Sequence, residues 1–250
     1  MTVAGTTAVA TRWHRPGSLA EAAALTAGGA TPVGGGTLVM SEAFDVIPGP
    51  YLDLSRVVPG GWHGDRVGAM TTLSALLEMT DGRWPAIADA VRSTANPGVR
   101  RLATVGGTVA ARLAGCDLAA PLAAHGASVI SADADGAVHE TPFIEFWSGA
   151  RRPGIITEIV LGPPRPGAYR RYGGRCGPAP ALAGVAGVTG AGGIELWAGA
   201  VASRPLRLTG QPLADSGIQD DPRCSARHRL RLVRALAAEV TSALPEYPGG

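Results

Sequence analysis

The chain has 250 residues, 46% of them hydrophobic, a formal net charge of +2 and no lysine, so all 22 of its basic residues are arginine. The near-balanced charge gives no electrostatic basis for binding nucleic acid, and no apolar run approaches the length of a membrane span. The missing lysine excludes a P-loop, Schiff-base chemistry and covalent pyridoxal phosphate. The first ten residues carry no basic or apolar leader region, which predicts a cytoplasmic protein.

Cys116, Cys176 and Cys224 lie far apart, and His14, His63, His125, His139 and His228 show no ligand spacing. We therefore expect no disulfide framework, no iron–sulfur ligand set and no metal site, so that any redox centre is a bound organic cofactor.

In chain order, Ser18 and Glu21 form a capping box that opens a helix over residues 19–27, ended by Gly28-Gly29. Thr31 to Val33 reads as a short strand feeding a glycine turn, Gly34-Gly35-Gly36-Thr37-Leu38, and residues 51–54 as the next strand. Residues 66–70 are extended, 72–79 helical, and 85–93 a helix with proline in its first turn. A second glycine turn follows, Thr104-Val105-Gly106-Gly107-Thr108. Asp117 begins a helix ended by Gly126, and Asp133-Ala-Asp-Gly136 turns a hairpin between residues 127–131 and 137–140. Residues 155–161 are β-rich, after which Gly162-Pro-Pro-Arg-Pro-Gly167 breaks the chain and marks a domain boundary. Beyond it lie strands over 181–188 and 193–200, then an amphipathic helix. Leu230, Val233, Leu236, Ala237, Val240 and Leu244 share one face of that helix, and Arg223, Arg227, Arg229, Arg231 and Arg234 are expected on the solvated one.

The two glycine turns carry the chemistry. Each has β-type residues before the glycines and a threonine within, so each reads as a strand end whose backbone N–H groups are left bare for an anion such as phosphate. One such turn is commonplace, whereas two matched turns point to a dinucleotide. Neither supplies the third glycine of a Rossmann fingerprint. A side chain at Gly35 or Gly107 is expected to block approach of the backbone to a diphosphate while leaving the fold largely intact.

These residues resemble the FAD-binding medium subunit of the molybdenum hydroxylases, the carbon monoxide dehydrogenase and xanthine dehydrogenase flavoprotein family. The similarity runs through Trp13-His-Arg-Pro-Gly-Ser-Leu-Ala-Glu-Ala22, the first glycine turn, Pro97 to Thr108, and Tyr169-Arg-Arg171-Tyr-Gly-Gly-Arg175. It implies an α+β fold: a two-subdomain PCMH-like FAD-binding domain over residues 1–165, divided near residue 60, followed by a C-terminal domain over 166–250 made of a small antiparallel sheet and helices. It places FAD on Val33, Gly34, Gly35, Gly36, Thr37, Leu38, Thr104, Gly106, Gly107, Thr108, Asp117, Ile156 and Arg171. From the residues alone, Asp117 reads equally as a carboxylate stabilised at a helix N-terminus. Leu38, Arg101, Thr108 and Arg171 depart from the family's usual residues, and Leu38 gives up a side-chain hydrogen bond.

The resemblance implies an oxidoreductase subunit with molybdopterin and iron–sulfur partner subunits, passing electrons to NAD, oxygen or a quinone. An alternative is a free-standing FAD enzyme acting on a small molecule, for which Tyr169, Tyr172, His63 or Glu145 would serve as base. A third is a flavin-free scaffold.

Overall fold

The computed structural model describes residues 12–41, 49–150, 154–173, 180–209 and 217–245. The N-terminal segment, Arg175 and Cys176 lie outside them.

Three sheets organise the chain. The first is parallel, in the order β1-β3-β2, from β1 (Trp13–His14), β2 (Thr31–Val33) and β3 (Tyr51–Asp53), with α1 (Leu19–Ala27) packed beside it. Helix α1 begins as expected: Ser18 Oγ accepts from the Glu21 N–H at 3.2 Å. The Glu21 carboxylate closes the cap one residue earlier than a standard box, on the Gly17 N–H at 2.7 Å.

The second sheet is antiparallel, in the order β4-β5-β8-β6-β7. Its strands are β4 (Trp62–His63), β5 (Arg66–Gly68), β6 (Ser128–Ala132), β7 (Val138–Pro142) and β8 (Ile155–Val160). Between β5 and β6 the chain forms α2 (Leu73–Thr80), α3 (Pro85–Ser93), α4 (Pro97–Arg100), α5 (Val105–Ala111) and α6 (Ala119–His125). The short helix α7 (Phe143–Ser148) follows β7; it buries Phe143 and Trp147, and Trp147 Nε1 donates to Ser203 O at 3.1 Å.

The third sheet is antiparallel, in the order β12-β11-β10-β9: β9 (Gly167–Tyr172), β10 (Ala183–Gly190), β11 (Gly193–Gly199) and β12 (Leu206–Arg207). Helix α8 (Ala226–Ala243) covers one face, where Ala183 and Val185 meet Val233, Leu236 and Val240. Close approach requires Gly187, since a Cβ there would lie 2.5 Å from Val240 Cγ1. The opposite face rests on α3 and α6: Tyr169, Ala186 and Val188 join Ile87, Ala120 and Leu122 in the main core. That core therefore runs across the Gly162–Gly167 break.

Arg229 departs from the expected solvated face. It is 4% exposed and spends its guanidinium on three backbone carbonyls: Leu182 O at 3.0 Å, Gln219 O at 2.7 Å and Ala200 O. These close chain ends that no strand pairs. Arg223, Arg227, Arg231 and Arg234 are exposed as expected. Replacing Arg229 by Met leaves buried acceptors unmet and is expected to cost about 2–4 kcal/mol, whereas Arg231→Met should stay within about 0.5 kcal/mol. Urea denaturation of the two variants measures the difference.

Candidate functional site

Strand β2 ends at the buried Val33, and the chain bends through Gly34 and Gly35 to Gly36 at φ 70°. A single helical turn follows, in which the Met40 N–H donates to Gly36 O at 2.9 Å and the Ser41 N–H to Leu38 O at 3.1 Å. The first N–H groups of such a turn have no acceptor within it. Among the described residues, no protein acceptor takes the N–H groups of Gly35, Gly36, Thr37 or Leu38. Successive N–H groups left without acceptors in a tight turn are of the kind that bind anions.

The second glycine loop differs from the expectation. It is the first turn of α5, and the N–H groups of Val105 to Thr108 are all engaged. Val105 donates to Thr71 O and Gly106 to Ala69 O, each at 2.9 Å. Gly107 donates to the capping Thr104 Oγ1 at 3.2 Å, and Thr108 to Thr104 O at 2.9 Å. These glycines serve packing: a Cβ on Gly106 would sit 2.5 Å from Ala69 Cβ. The two loops also touch. A Cβ on Gly34 would lie 2.5 Å from Thr104 Oγ1, and one on Gly35 would overlap the Leu102 carbonyl. Gly35 is thus required by the fold as well as by any ligand, which corrects the expectation that substitution there spares the fold.

Asp117 lies one residue before Leu118, the N-cap of α6, and is 6% exposed. Tyr169 Oη donates to its Oδ1 at 2.7 Å, and Arg171 Nε lies 3.4 Å from the same oxygen. Arg171 Nη1 donates to Ser93 O at 2.7 Å, at the end of α3. Burial pushes the Asp117 carboxyl up to about 6, against the pull of Arg171, Tyr169 and Thr94. Burial and the neighbouring Asp117 push the Cys116 thiol up to about 12, so it stays protonated at neutral pH. Ile156 is half-buried on β8 and packs against both the main core and the core of the first sheet.

Of the bases considered above, Tyr169 is buried, donates to Asp117 and has its hydroxyl pKa raised by burial and by that carboxylate. Tyr172, His63 and Glu145 are exposed. The Tyr169 contact lay within reach of the sequence: β9 alternation puts Tyr169 and Arg171 on one face. Among the described residues, no three His, Cys, Asp or Glu side chains converge as a metal site requires.

Gly35→Ala is expected to lower the thermal midpoint of the apoprotein by several degrees, because the Leu102 backbone must move; thermal unfolding without ligand reads this directly. A second expectation concerns pH. Asp117, its folded pKa raised, contributes stability that is complete below its ordinary value of 3.8 and is lost as the pH rises through about 6. His125, 1% exposed, has its pKa lowered from 6.5 to about 4 by burial and by Arg165. It contributes stability present above 6.5 and lost as the pH falls through about 4. The two slopes oppose each other. Relative to wild type, the thermal midpoint of His125→Leu should fall across this window as pH rises, and that of Asp117→Asn should rise.

Comparison with known proteins gives the family. Residues 8–163 match the family described as FAD binding domain in molybdopterin dehydrogenase. Among solved structures, the chain is similar to a chain of reconstituted CO dehydrogenase from Oligotropha carboxidovorans, with 22% identity, coverage of 97% of this chain and 99% of that one, and a TM-score of 0.80. Carbon monoxide dehydrogenase from Hydrogenophaga pseudoflava lacking the Mo-pyranopterin moiety gives 23% identity, coverage of 94% and 96%, and a TM-score of 0.80. Quinoline 2-oxidoreductase from Pseudomonas putida 86 gives 22%, coverage of 94% and 96%, and 0.79. No curated protein matches the chain. No described helix is long and apolar enough to cross a membrane. With more than half of its length matched to that domain, the chain belongs to the FAD-binding family of the molybdopterin dehydrogenases, and its cofactor is FAD.

Proposed function

We propose that this protein is the flavin subunit of a cytoplasmic molybdenum hydroxylase: it holds one non-covalent FAD and relays electrons from molybdopterin and iron–sulfur partner subunits to NAD, oxygen or a quinone. The observation that carries the reading is the run of unengaged N–H groups from Gly35 to Leu38, which fits the diphosphate. When bound, the isoalloxazine supplies the redox chemistry.

The chain's own residues bind and orient. The Thr37 hydroxyl adds a donor beside the open N–H groups. Val33, Gly34, Thr104, Gly106, Gly107 and Thr108 set the contact between the loops. Asp117 accepts sugar or ribityl hydroxyls, Ile156 gives apolar contact, and Arg171 favours the ionised form of Asp117. With Tyr169 engaged and the other candidate bases exposed, the site favours electron transfer over proton abstraction from a small substrate. The three sheets support division into residues 1–60, 61–165 and 166–250.

Purified protein is expected to show flavin absorbance and to release free FAD on denaturation. Release of FMN, or failure of apoprotein to regain the spectrum with FAD, would sink the reading. Arg171→Ala removes a charge-assisted contact worth about 1.5–3 kcal/mol and should weaken FAD binding by about tenfold to a hundredfold, with Arg171→Lys restoring much of it. Titration of apoprotein with FAD measures both.

A further inference from the structure

The match to the FAD-binding family ends at residue 163, yet two partners of Asp117 lie beyond it, on β9. One of them, Arg171, is already placed at the cofactor by the flavin reading, on which this inference rests. The other is Tyr169.

Tyr169 is 3% exposed, and its surroundings fix its ring. A Cβ on Gly184 would overlap the phenol oxygen, so the glycine on β10 gives that oxygen its place. The Tyr169 N–H donates to Asp89 Oδ2 on α3 at 3.4 Å. From this fixed position the phenol O–H donates to Asp117 Oδ1 at 2.7 Å. Arg171 Nε lies 3.4 Å from the same oxygen. Both contacts from β9 thus end on Oδ1, and the Thr94 hydroxyl beside the carboxylate gives its own proton to Ala90 O at 2.9 Å.

We infer that Tyr169 is a positioning residue of the FAD site: its O–H fixes one oxygen of Asp117 and so orients the other to accept a sugar or ribityl hydroxyl of the cofactor. A phenol suits this role because it donates a single bond in one direction and adds no charge. Its donation also favours the ionised carboxylate, as does the guanidinium of Arg171. Of the other groups near the pair, Cys116 has its thiol pushed up to about 12 by burial and by Asp117, and Asp89 is paired with Arg92 and Arg170.

Titration of apoprotein with FAD tests this in wild type, Tyr169→Phe, Asp117→Ala and the double variant, each checked for native circular dichroism. At about pH 8, Tyr169→Phe is expected to weaken FAD by about tenfold in the wild-type background and by less than about twofold in the Asp117→Ala background. Its effect in the wild-type background should grow towards about pH 6, because loss of the phenol donor moves the acid limb of binding to higher pH. Equal affinities of wild type and Tyr169→Phe, a loss of the same size with and without Asp117, or a loss that does not change with pH would overturn the role. Failure of wild type to bind FAD would overturn the flavin reading and this role with it. If Asp117→Ala fails to fold, the pH dependence of Tyr169→Phe decides.

Discussion

Asp117 is a carboxylate placed where water scarcely reaches, and its partners arrive from another sheet. Burial disfavours its charge, and Tyr169 and Arg171 on β9 offset only part of that cost. Both partners reach it only because β9 lies against α3, with the neighbouring β10 on α6. That approach in turn needs Gly184 on β10, where a Cβ would overlap the Tyr169 hydroxyl. Arg171 also bonds the end of α3, so one side chain ties three segments together. The two parts of the chain thus meet at one buried carboxylate as well as through their shared apolar core.

The glycine loops, alike in composition, divide their tasks by hydrogen-bond accounting. Every backbone donor must go somewhere. In the second loop those of Val105 and Gly106 go to the turn after β5, and those of Gly107 and Thr108 to the capping threonine. In the first loop four consecutive donors have no acceptor among the described residues. The closed loop is a rigid abutment. The open loop, braced against it at Gly34 and Gly35, keeps its donors unspent.

What the sequence made legible was local. The caps of α1 and α2, the proline start of α3, the hairpin turn and the periodicity of α8 each depend on residues a few positions apart. The first loop was legible for the same reason, because its glycines act on their own backbone. The second loop was misread as a strand end because its acceptors, Thr71 and Ala69, lie far back in the chain. Arg229 looked like its exposed neighbours, and only the distant carbonyls of Leu182, Ala200 and Gln219 explain its burial. Helix α7 carried no capping side chain to announce it. The family resemblance gave the positions of Asp117 and Arg171 without showing that they bind each other.

The shared core has a consequence for how the chain is made. As synthesis proceeds from the N-terminus, Ile87, Ala120 and Leu122 fold into helices whose outer flank waits for β9 and β10. Until then that flank is an apolar surface open to a chaperone or to a neighbouring nascent chain. Asp117 waits as well, for its countercharge is encoded 54 positions downstream, 171 less 117. The buried pair cannot form before residue 171 is made, and a ribosome that stalls before residue 169 leaves a carboxylate with neither its cation nor its phenol.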